Sequence, residues 1–420
     1  MNMVDIILKK RRGEELTENE IRSVIKGYVD GSVADYQMSA LLMAIYFQGL
    51  TDKEIFVLTD AMKNSGSILD LSDIKGIKVD KHSSGGVGDK ITLIIGPIVA
   101  AAGVKVAKMS GRGLGFTGGT IDKLAAIPGF TTDLSIDKFK RIVKDVGLCV
   151  AGQTENIAKA DKLIYALRDV TGTVDIKGLI ASSIMSKKLA MGSDAILLDV
   201  KYGMGALMKT KQEAKELAEL MKRIGNMASK NVEYILSDMN QPLGNMVGNA
   251  NEVMEAIDVL KGKGPDDLMN LAIEISGKML VLGELAKDKE EGAKIAKSMV
   301  DNKKALLKCK EFIEAQGGNP SVVEDYSLLP KPKYEVNVKI AQSGILSRLE
   351  ANKVGEASLI CGAGREKKED DIDLSAGITL FKKVGDEILE DEVVAKVYGN
   401  DKDKLVKAVD ILIEAYTIAK

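Results

Sequence analysis

Between Ile77 and Val200 the chain repeatedly sets a short apolar run before a glycine-rich turn and, in its clearest instance, a helix-forming stretch after it; no other feature limits the fold as sharply. Ile77–Asp80 reads as a strand running into Lys81-His82-Ser83-Ser84-Gly85-Gly86-Val87-Gly88-Asp89, and Ile91–Ala102 reads as the helix that leaves this loop. Val104–Met109 reads as a second strand, running into Ser110-Gly111-Arg112-Gly113-Leu114-Gly115-Phe116-Thr117-Gly118-Gly119-Thr120, and Ala195–Val200 as a third, ending at Gly203-Met204-Gly205. Strands alternating with helices imply an α/β domain with a mixed, largely parallel sheet. Such sheets bind ligands at the carboxyl ends of their strands, so both glycine loops would line one crevice.

The flanks follow other patterns. Residues 1–65 read as short helices, with Thr17-Glu18-Asn19-Glu20 and Thr51-Asp52-Lys53-Glu54 in capping-box form and Met38, Leu41, Leu42 and Ile45 at helical spacing. Helical periodicity returns over 161–192, 209–224 and 252–316. Pro330-Lys331-Pro332 resists helix and sheet alike and reads as a linker. Beyond it, Gly377–Phe381 and Val393–Val397 read as strands of a small β-hammerhead-like tail, closed by a helix from Asp401 to Ala419. No lysine stands at a clear hairpin tip there, so packing, not carriage of a lipoyl group, is the expected role of the tail.

Length and charge exclude several functions. A chain of 420 residues is too long for one core and implies two or three domains. Lys+Arg 59 against Asp+Glu 61 leaves a net charge of -2, and aromatics at 4% without Trp offer few stacking platforms. Nucleic acid is therefore not the expected partner. No stretch reaches the roughly 20 apolar residues that span a bilayer, and no signal-length apolar core follows the basic Lys9–Arg12 run. Three widely spaced cysteines, Cys149, Cys309 and Cys361, with a single histidine, offer neither a disulfide framework nor a zinc site. A cytoplasmic protein with reduced thiols is the expectation.

Two nucleotide motifs are nearly matched. Gly88-Asp89-Lys90-Ile91-Thr92 lacks the uninterrupted Gly-Lys-Ser/Thr of a P-loop, and Gly113-x-Gly115-x-x-Gly118 lies in a second β-α unit within a longer glycine run. Neither an NTPase nor a dehydrogenase is expected. What remains is a phosphate site made by both loops, in which Lys81, Ser83, Thr92, Lys108, Ser110 and Thr120 supply two ammonium groups and four hydroxyls. The only histidine, His82, sits in the first of these loops. A lone histidine is more often structural than catalytic. Here a lysine, two hydroxyls and three glycines surround it with the donors an anion needs.

Ser110–Leu124 resembles the signature of the thymidine and pyrimidine-nucleoside phosphorylases. Lys81–Asp89, Tyr165-Ala166-Leu167-Arg168-Asp169-Val170-Thr171-Gly172-Thr173-Val174-Asp175, Ser186-Lys187-Lys188-Leu189-Ala190 and Gly362-Ala363-Gly364-Arg365-Glu366-Lys367-Lys368 are further matches in the same order, and together they cover essentially the whole chain. The resemblance implies reversible phosphorolysis of uridine, thymidine or deoxyuridine to the free base and (deoxy)ribose 1-phosphate, by direct attack of phosphate at C1′ and without an enzyme nucleophile. Phosphate is a co-substrate in that reaction, and no organic cofactor is implied. By resemblance the leaving base meets His82, Tyr165, Arg168, Ser183 and Lys187, of which His82, Arg168 and Lys187 would be catalytic. Asp89 and Asp122 are expected only to fix their loops through backbone amides.

The resemblance also implies three regions: a helical domain over 1–65 and 163–193 carrying the base site and a homodimer interface, an α/β phosphate-binding domain over 66–162 and 194–330, and a C-terminal α+β subdomain over 331–420. Closure of the first two around the substrates would exclude water. The alternatives are a thymidine-restricted enzyme of the same family, a phosphoribosyltransferase, for which acidic magnesium positions are not found, and a non-catalytic nucleoside-binding protein.

The signature departs from the usual pattern at Ala125, where a Glu is usual, and at Phe116, often a His. A further departure touches an ion. Relatives of the pyrimidine-nucleoside branch hold a monovalent cation such as K+ at positions matching Gly88, Lys90, Leu243, Met246 and Glu255, and Lys90 stands where they have a hydroxyl residue. Either the Lys90 ammonium pairs with Glu255 and replaces the ion, or Lys90 contributes only its carbonyl and the ion stays.

Overall fold

The computed structural model of the protein describes every residue except Met1, Leu114, Phe116, Thr117, Gln153, Thr154, Glu155, Glu366, Lys368, Glu369 and Lys420. Four helices open the chain: α1 (Met3–Arg11), α2 (Glu18–Asp30), α3 (Asp35–Gln48) and α4 (Asp52–Lys63). Asn2 caps α1, and both expected capping boxes form, Thr17 with Glu20 and Thr51 with Glu54, so the first amides of these helices find side-chain acceptors. In chain order there follow β1 (Val79–Ser83), α5 (Ile91–Ala102), β2 (Val106–Ser110), α6 (Thr120–Ala125), α7 (Ile136–Asp145), β3 (Leu148–Gly152), α8 (Lys159–Thr171), α9 (Lys177–Ala190), β4 (Ala195–Tyr202), α10 (Lys211–Met227), β5 (Asn231–Asp238), β6 (Met246–Gly248) and α11 (Ala250–Leu260). Then come α12 (Asp266–Leu282), α13 (Lys289–Asp301), α14 (Lys304–Ala315), β7 (Tyr334–Ile340), β8 (Gly344–Leu349), α15 (Ala351–Ser358), β9 (Gly377–Leu380), β10 (Glu387–Ile388), β11 (Glu392–Gly399), α16 (Lys402–Glu414) and β12 (Tyr416–Ala419).

Two compact units result. One comprises residues 1–75, 153–196 and 215–234, the other 76–152, 197–214 and 235–420. The expected second helical stretch, 163–193, lies inside the longer 153–196 segment, and the tail after Pro332 packs as part of the second unit. Among the described residues no helix is long and apolar enough to cross a membrane.

The first unit is a helical bundle whose core gathers Ile21, Val24, Met38, Leu41, Leu42, Ile45, Leu58, Met62, Ile164 and Leu179, with the four residues read at helical spacing in α3 all buried. Glu54 closes this core from the side. Its carboxylate is 2.8 Å from the Lys10 ammonium and accepts the Leu16 amide at 2.9 Å and the Thr51 amide at 2.8 Å. A single buried side chain thus joins α1, the α1–α2 connection and the cap of α4.

The second unit has the α/β character expected of it. β2 and β3 pair in parallel, Val106 opposite Leu148 and Ser110 opposite Gly152, and a parallel bridge joins Lys78 to Lys105 at the start of β1 and β2. Parallel pairing brings the carboxyl ends of β1 and β2 to the same edge. β1 also belongs to a sheet in the order β1-β4-β5. The tail is antiparallel, in sheets β6-β9-β11-β7 and β10-β8-β12. β6 lends Met246–Gly248 to the first of these, pairing with Gly377–Thr379, which is why the tail does not separate from the α/β region.

Three local expectations need correction. β1 runs through Lys81, His82 and Ser83, which read as loop because they are polar; ladder pairing and a buried carboxylate partner for Lys81 override that signal. The last helix stops at Glu414 instead of Ala419, since Tyr416–Ala419 pairs with β8, where its aromatic and β-branched side chains fit a sheet. Leu148–Gly152 and Asn231–Asp238 are strands that the sequence reading leaves unassigned.

Burial acts to raise the Glu54 carboxyl, but the Leu16 amide, the Lys10 ammonium and the Thr51 amide together outweigh it and hold the group below its ordinary range. A carboxylate with a depressed folded pKa stabilises fully above its unfolded value and loses that contribution as pH falls through the folded one. Glu54→Gln should therefore lower the melting temperature at pH 7, and its gap to wild type should narrow as the solution is acidified. Melting curves recorded from neutral to acid pH check this.

Candidate active site

Side chains alternate along a strand, so β1 places Lys81 and Ser83 on one face and His82 on the other. Lys81 is buried with its ammonium 2.7 Å from the Asp199 carboxylate on β4, an ion pair by distance. From the adjacent strand β2 the Lys108 ammonium donates to the Lys81 carbonyl at 2.6 Å. Ser83 donates to Asp89 at 2.5 Å and accepts the Gly85 amide at 3.2 Å, so its hydroxyl tightens the first glycine loop. Ser110 ends β2, Thr92 lies in the first turn of α5 and Thr120 opens α6. All six expected phosphate residues thus stand on one unit: Lys81 and Lys108 at the middle of β1 and β2, Ser83 and Ser110 at their ends, and Thr92 and Thr120 on the helices that follow the two glycine loops.

The second loop is closed from both sides. Asp122 accepts the Gly113 amide at 2.7 Å and lies 2.9 Å from the Arg365 guanidinium. Gly119 comes so near Gly113 that a Cβ at 119 would lie 2.1 Å from the Gly113 nitrogen, so only glycine fits. Arg365, whose motif the sequence shows without a role, returns its carbonyl to the Gly115 amide at 3.0 Å. Of the two signature departures, Ala125 ends α6, while Phe116 falls outside the described residues, as do Leu114, Thr117, Glu366 and Lys368 of the quoted motifs.

Behind β1 lies a buried charge network that the sequence reading misses. Lys201 is 2.9 Å from Asp199 and 3.7 Å from Asp89, and donates to Ser237 at 3.3 Å. Lys123 is 2.8 Å from Glu252 and donates to the Asp89 carbonyl at 2.8 Å. Burial acts to raise both aspartates, but Lys201 and Lys81, joined at Asp89 by Lys123, outweigh it and hold the two carboxyls below the usual range. Lys201 is in turn lowered by burial and raised further by Asp199 and Asp89, so it stays charged. The available signal was a charged pair, Asp199 and Lys201, two residues apart in an otherwise apolar strand.

The expected base-binding residues other than His82 stand on the helical unit. Arg168 is buried, not the surface side chain its helical position alone suggests. Its guanidinium donates to the carbonyls of Thr173 at 3.0 Å, Leu179 at 3.2 Å and Val174 at 2.5 Å, because the left-handed Gly172 ends α8 and turns the chain back beneath it. Burial lowers the Arg168 pKa, opposed by Asp161, Tyr165 and Asp175. Tyr165, one turn earlier, sets its ring 5.8 Å from the guanidinium carbon. On α9, Lys187 donates to Ser183 at 3.0 Å and forms an ion pair with Asp161. Asp161 shares one helical face with Tyr165 and Arg168, the spacing by which the sequence could point to it.

The residues expected around an ion also meet. The Lys90 ammonium donates to the carbonyls of Leu243 at 2.9 Å and Met246 at 2.8 Å and to the Glu255 carboxylate at 2.6 Å, while Gly88 closes on the Leu243 carbonyl.

Removing one member of a buried ion network strands the others, at a cost of roughly 3–5 kcal/mol. Asp199→Ala should destabilise the protein by about that amount, and adding Lys201→Met should recover part of the loss. Denaturant unfolding of the single and double variants measures it.

Three family models match stretches of the chain. Residues 4–66 match a family model described as "Glycosyl transferase family, helical bundle domain", residues 75–306 one described as "Glycosyl transferase family, a/b domain", and residues 345–419 one described as "Pyrimidine nucleoside phosphorylase C-terminal domain". The chain is 53% identical over 416 residues to the pyrimidine-nucleoside phosphorylase of Staphylococcus haemolyticus (strain JCSC1435), covering 99% of this chain and 96% of the relative. It is 53% identical over 414 residues to the enzyme of that name from Bacillus subtilis (strain 168), covering 95% and 96%. Anthranilate phosphoribosyltransferase from Thermus thermophilus shares the fold, with a TM-score of 0.58 at 18% identity over 74% of this chain and 98% of that one. With curated relatives matched along nearly their whole length and the phosphorylase C-terminal domain in place, the chain belongs to the pyrimidine-nucleoside phosphorylase family and is a pentosyltransferase.

Proposed function

We propose that the protein catalyses reversible phosphorolysis of uridine, thymidine and deoxyuridine. The observation that carries this reading is β1, which offers Lys81 and Ser83 on one face and His82 on the other, so a single strand serves an anion and a base at once. Phosphate is held by Lys81, Ser83, Thr92, Lys108, Ser110 and Thr120. One of its oxygens forms the new bond to C1′ as the C–N bond breaks, the configuration inverts, and the bonding pair leaves with the pyrimidine. The base gathers negative charge, which Arg168 and Lys187 stabilise and His82 relieves by donating a proton to O2. Arg168 suits this task because its guanidinium is oriented by three carbonyls before substrate arrives. Ser183 and Asp161 hold Lys187, and Tyr165 lies beside the base.

We also propose a homodimer formed through the helical unit. α3 carries apolar side chains on two opposite faces: Met38, Leu41, Leu42 and Ile45 face the core, while Tyr36 is 77% and Phe47 76% exposed on the other side. A helix with large apolar side chains on both its inner and its outer face calls for a partner on the outer one. Three buried cysteines, none in a disulfide, suit a cytoplasmic setting.

Purified protein given uridine or thymidine should release base only when phosphate is present, and the ratio of the two rates gives the substrate preference. Release without phosphate would mean hydrolysis and overturn the reading. His82→Ala should lower kcat on the order of a hundredfold while raising the phosphate KM far less. An unchanged kcat removes His82 from the chemistry. Phe47→Glu should halve the mass seen by light scattering.

A further inference from the structure

The surroundings of Lys90 do not fit the monovalent cation that the family resemblance implies. Three oxygens that would hold the ion, from Leu243, Met246 and Glu255, already face the Lys90 ammonium at 2.9, 2.8 and 2.6 Å. An ammonium has three N–H donors, and all are taken. The side chain is wholly buried, and Gly88, at φ +72, lies so near the Leu243 carbonyl that a Cβ there would come within 2.5 Å of it. The oxygens that would hold an ion thus already have a cation among them.

We infer that Lys90 is a tethered cation: its ammonium permanently occupies the monovalent-ion position, so the enzyme needs no potassium. The inference rests on the phosphorolysis reading only for its activity readout. Glu255 contributes the single negative charge, and its carboxylate also accepts the amides of Asn245 at 2.8 Å and Met246 at 3.2 Å. One lysine therefore neutralises the cage. The cage joins distant parts of the second unit, since Lys90 follows the first glycine loop directly, Leu243 donates its amide to the Val87 carbonyl at 3.1 Å, and Glu255 lies on α11. Lys123 adds a parallel tie, bridging the Asp89 carbonyl to Glu252 one turn earlier on α11. From the tail, Lys383 reaches the same segment and donates to the Gly244 carbonyl at 2.7 Å. Fixing the 83–90 loop is thus a property of the chain and not of the ionic medium. Lys90 acts as a positioning residue, through the loop that carries Ser83.

The test titrates potassium chloride against choline chloride at constant ionic strength, reading the melting temperature and the phosphate KM of the full-length protein. For wild type both should stay unchanged. A clear rise in melting temperature or a fall in KM specific to potassium overturns the inference. Lys90→Thr restores a hydroxyl and removes the ammonium, leaving the buried Glu255 carboxylate without its countercharge. In choline this variant should melt roughly 5 °C or more below wild type, with a raised phosphate KM, and potassium should recover much of both losses. A variant as stable as wild type in choline, or one that potassium does not recover, overturns the substitution. If Lys90→Thr does not fold, the wild-type titration decides alone. The melting readout needs no turnover, so failure of this inference and failure of the phosphorolysis reading are distinguishable.

Discussion

The second unit depends on a charge cluster that cannot be partly built. Asp199 accepts two buried ammonium groups, Lys81 at 2.7 Å and Lys201 at 2.9 Å, while Lys201 also faces Asp89. Each of these charges is costly away from water unless the others stand within contact distance. The strand that carries Asp199 and Lys201 therefore sets where the end of β1 must lie, and with it the first glycine loop. The cluster sits directly behind the residues proposed to hold phosphate, so the requirements of stability and of anion binding converge on the same lysine.

Lysine recurs as the structural cation throughout. Lys10 with Glu54 joins the helices of the first unit, Lys187 with Asp161 fixes α9 against α8, Lys123 with Glu252 and Lys90 with Glu255 tie the glycine loops to α11. Beyond its ion pair, Lys187 donates to the Ser183 hydroxyl, Lys123 to the Asp89 carbonyl and Lys90 to the carbonyls of Leu243 and Met246. Such pairs specify geometry more than they add stability, because the desolvation they require offsets much of their attraction. That suits a site where a small anion must be met by preset donors.

Much of the architecture was legible in the sequence. The capping boxes at Thr17 and Thr51, the spacing of Met38 to Ile45 and the strand, glycine loop and helix around 77–102 are local signals, written in residues close together in the chain, and each element formed where these placed it, to within a few residues. The motifs that carry the family resemblance were equally local. What stayed hidden depends on distant partners: β12 exists because β8 lies beside it, and β1 extends through three polar residues because a carboxylate far along the chain awaits Lys81. The roles of Asp161, Asp199 and Lys201 are hidden for the same reason, since nothing beside them in sequence shows what they face.

By itself, then, the sequence determined the order of elements, the two glycine loops, the helical and α/β character of the chain and the family to which its motifs point, because turn chemistry, capping and hydrophobic period act over a few residues. Only the tertiary structure decided which charges meet. It buried Arg168 beneath the 173–179 carbonyls, set His82 and Lys81 on opposite faces of β1 and brought the Lys90 ammonium to three oxygens more than 150 residues away. Pairing in a low-dielectric interior is fixed by distances in space, and those follow from packing the whole unit rather than from any local stretch.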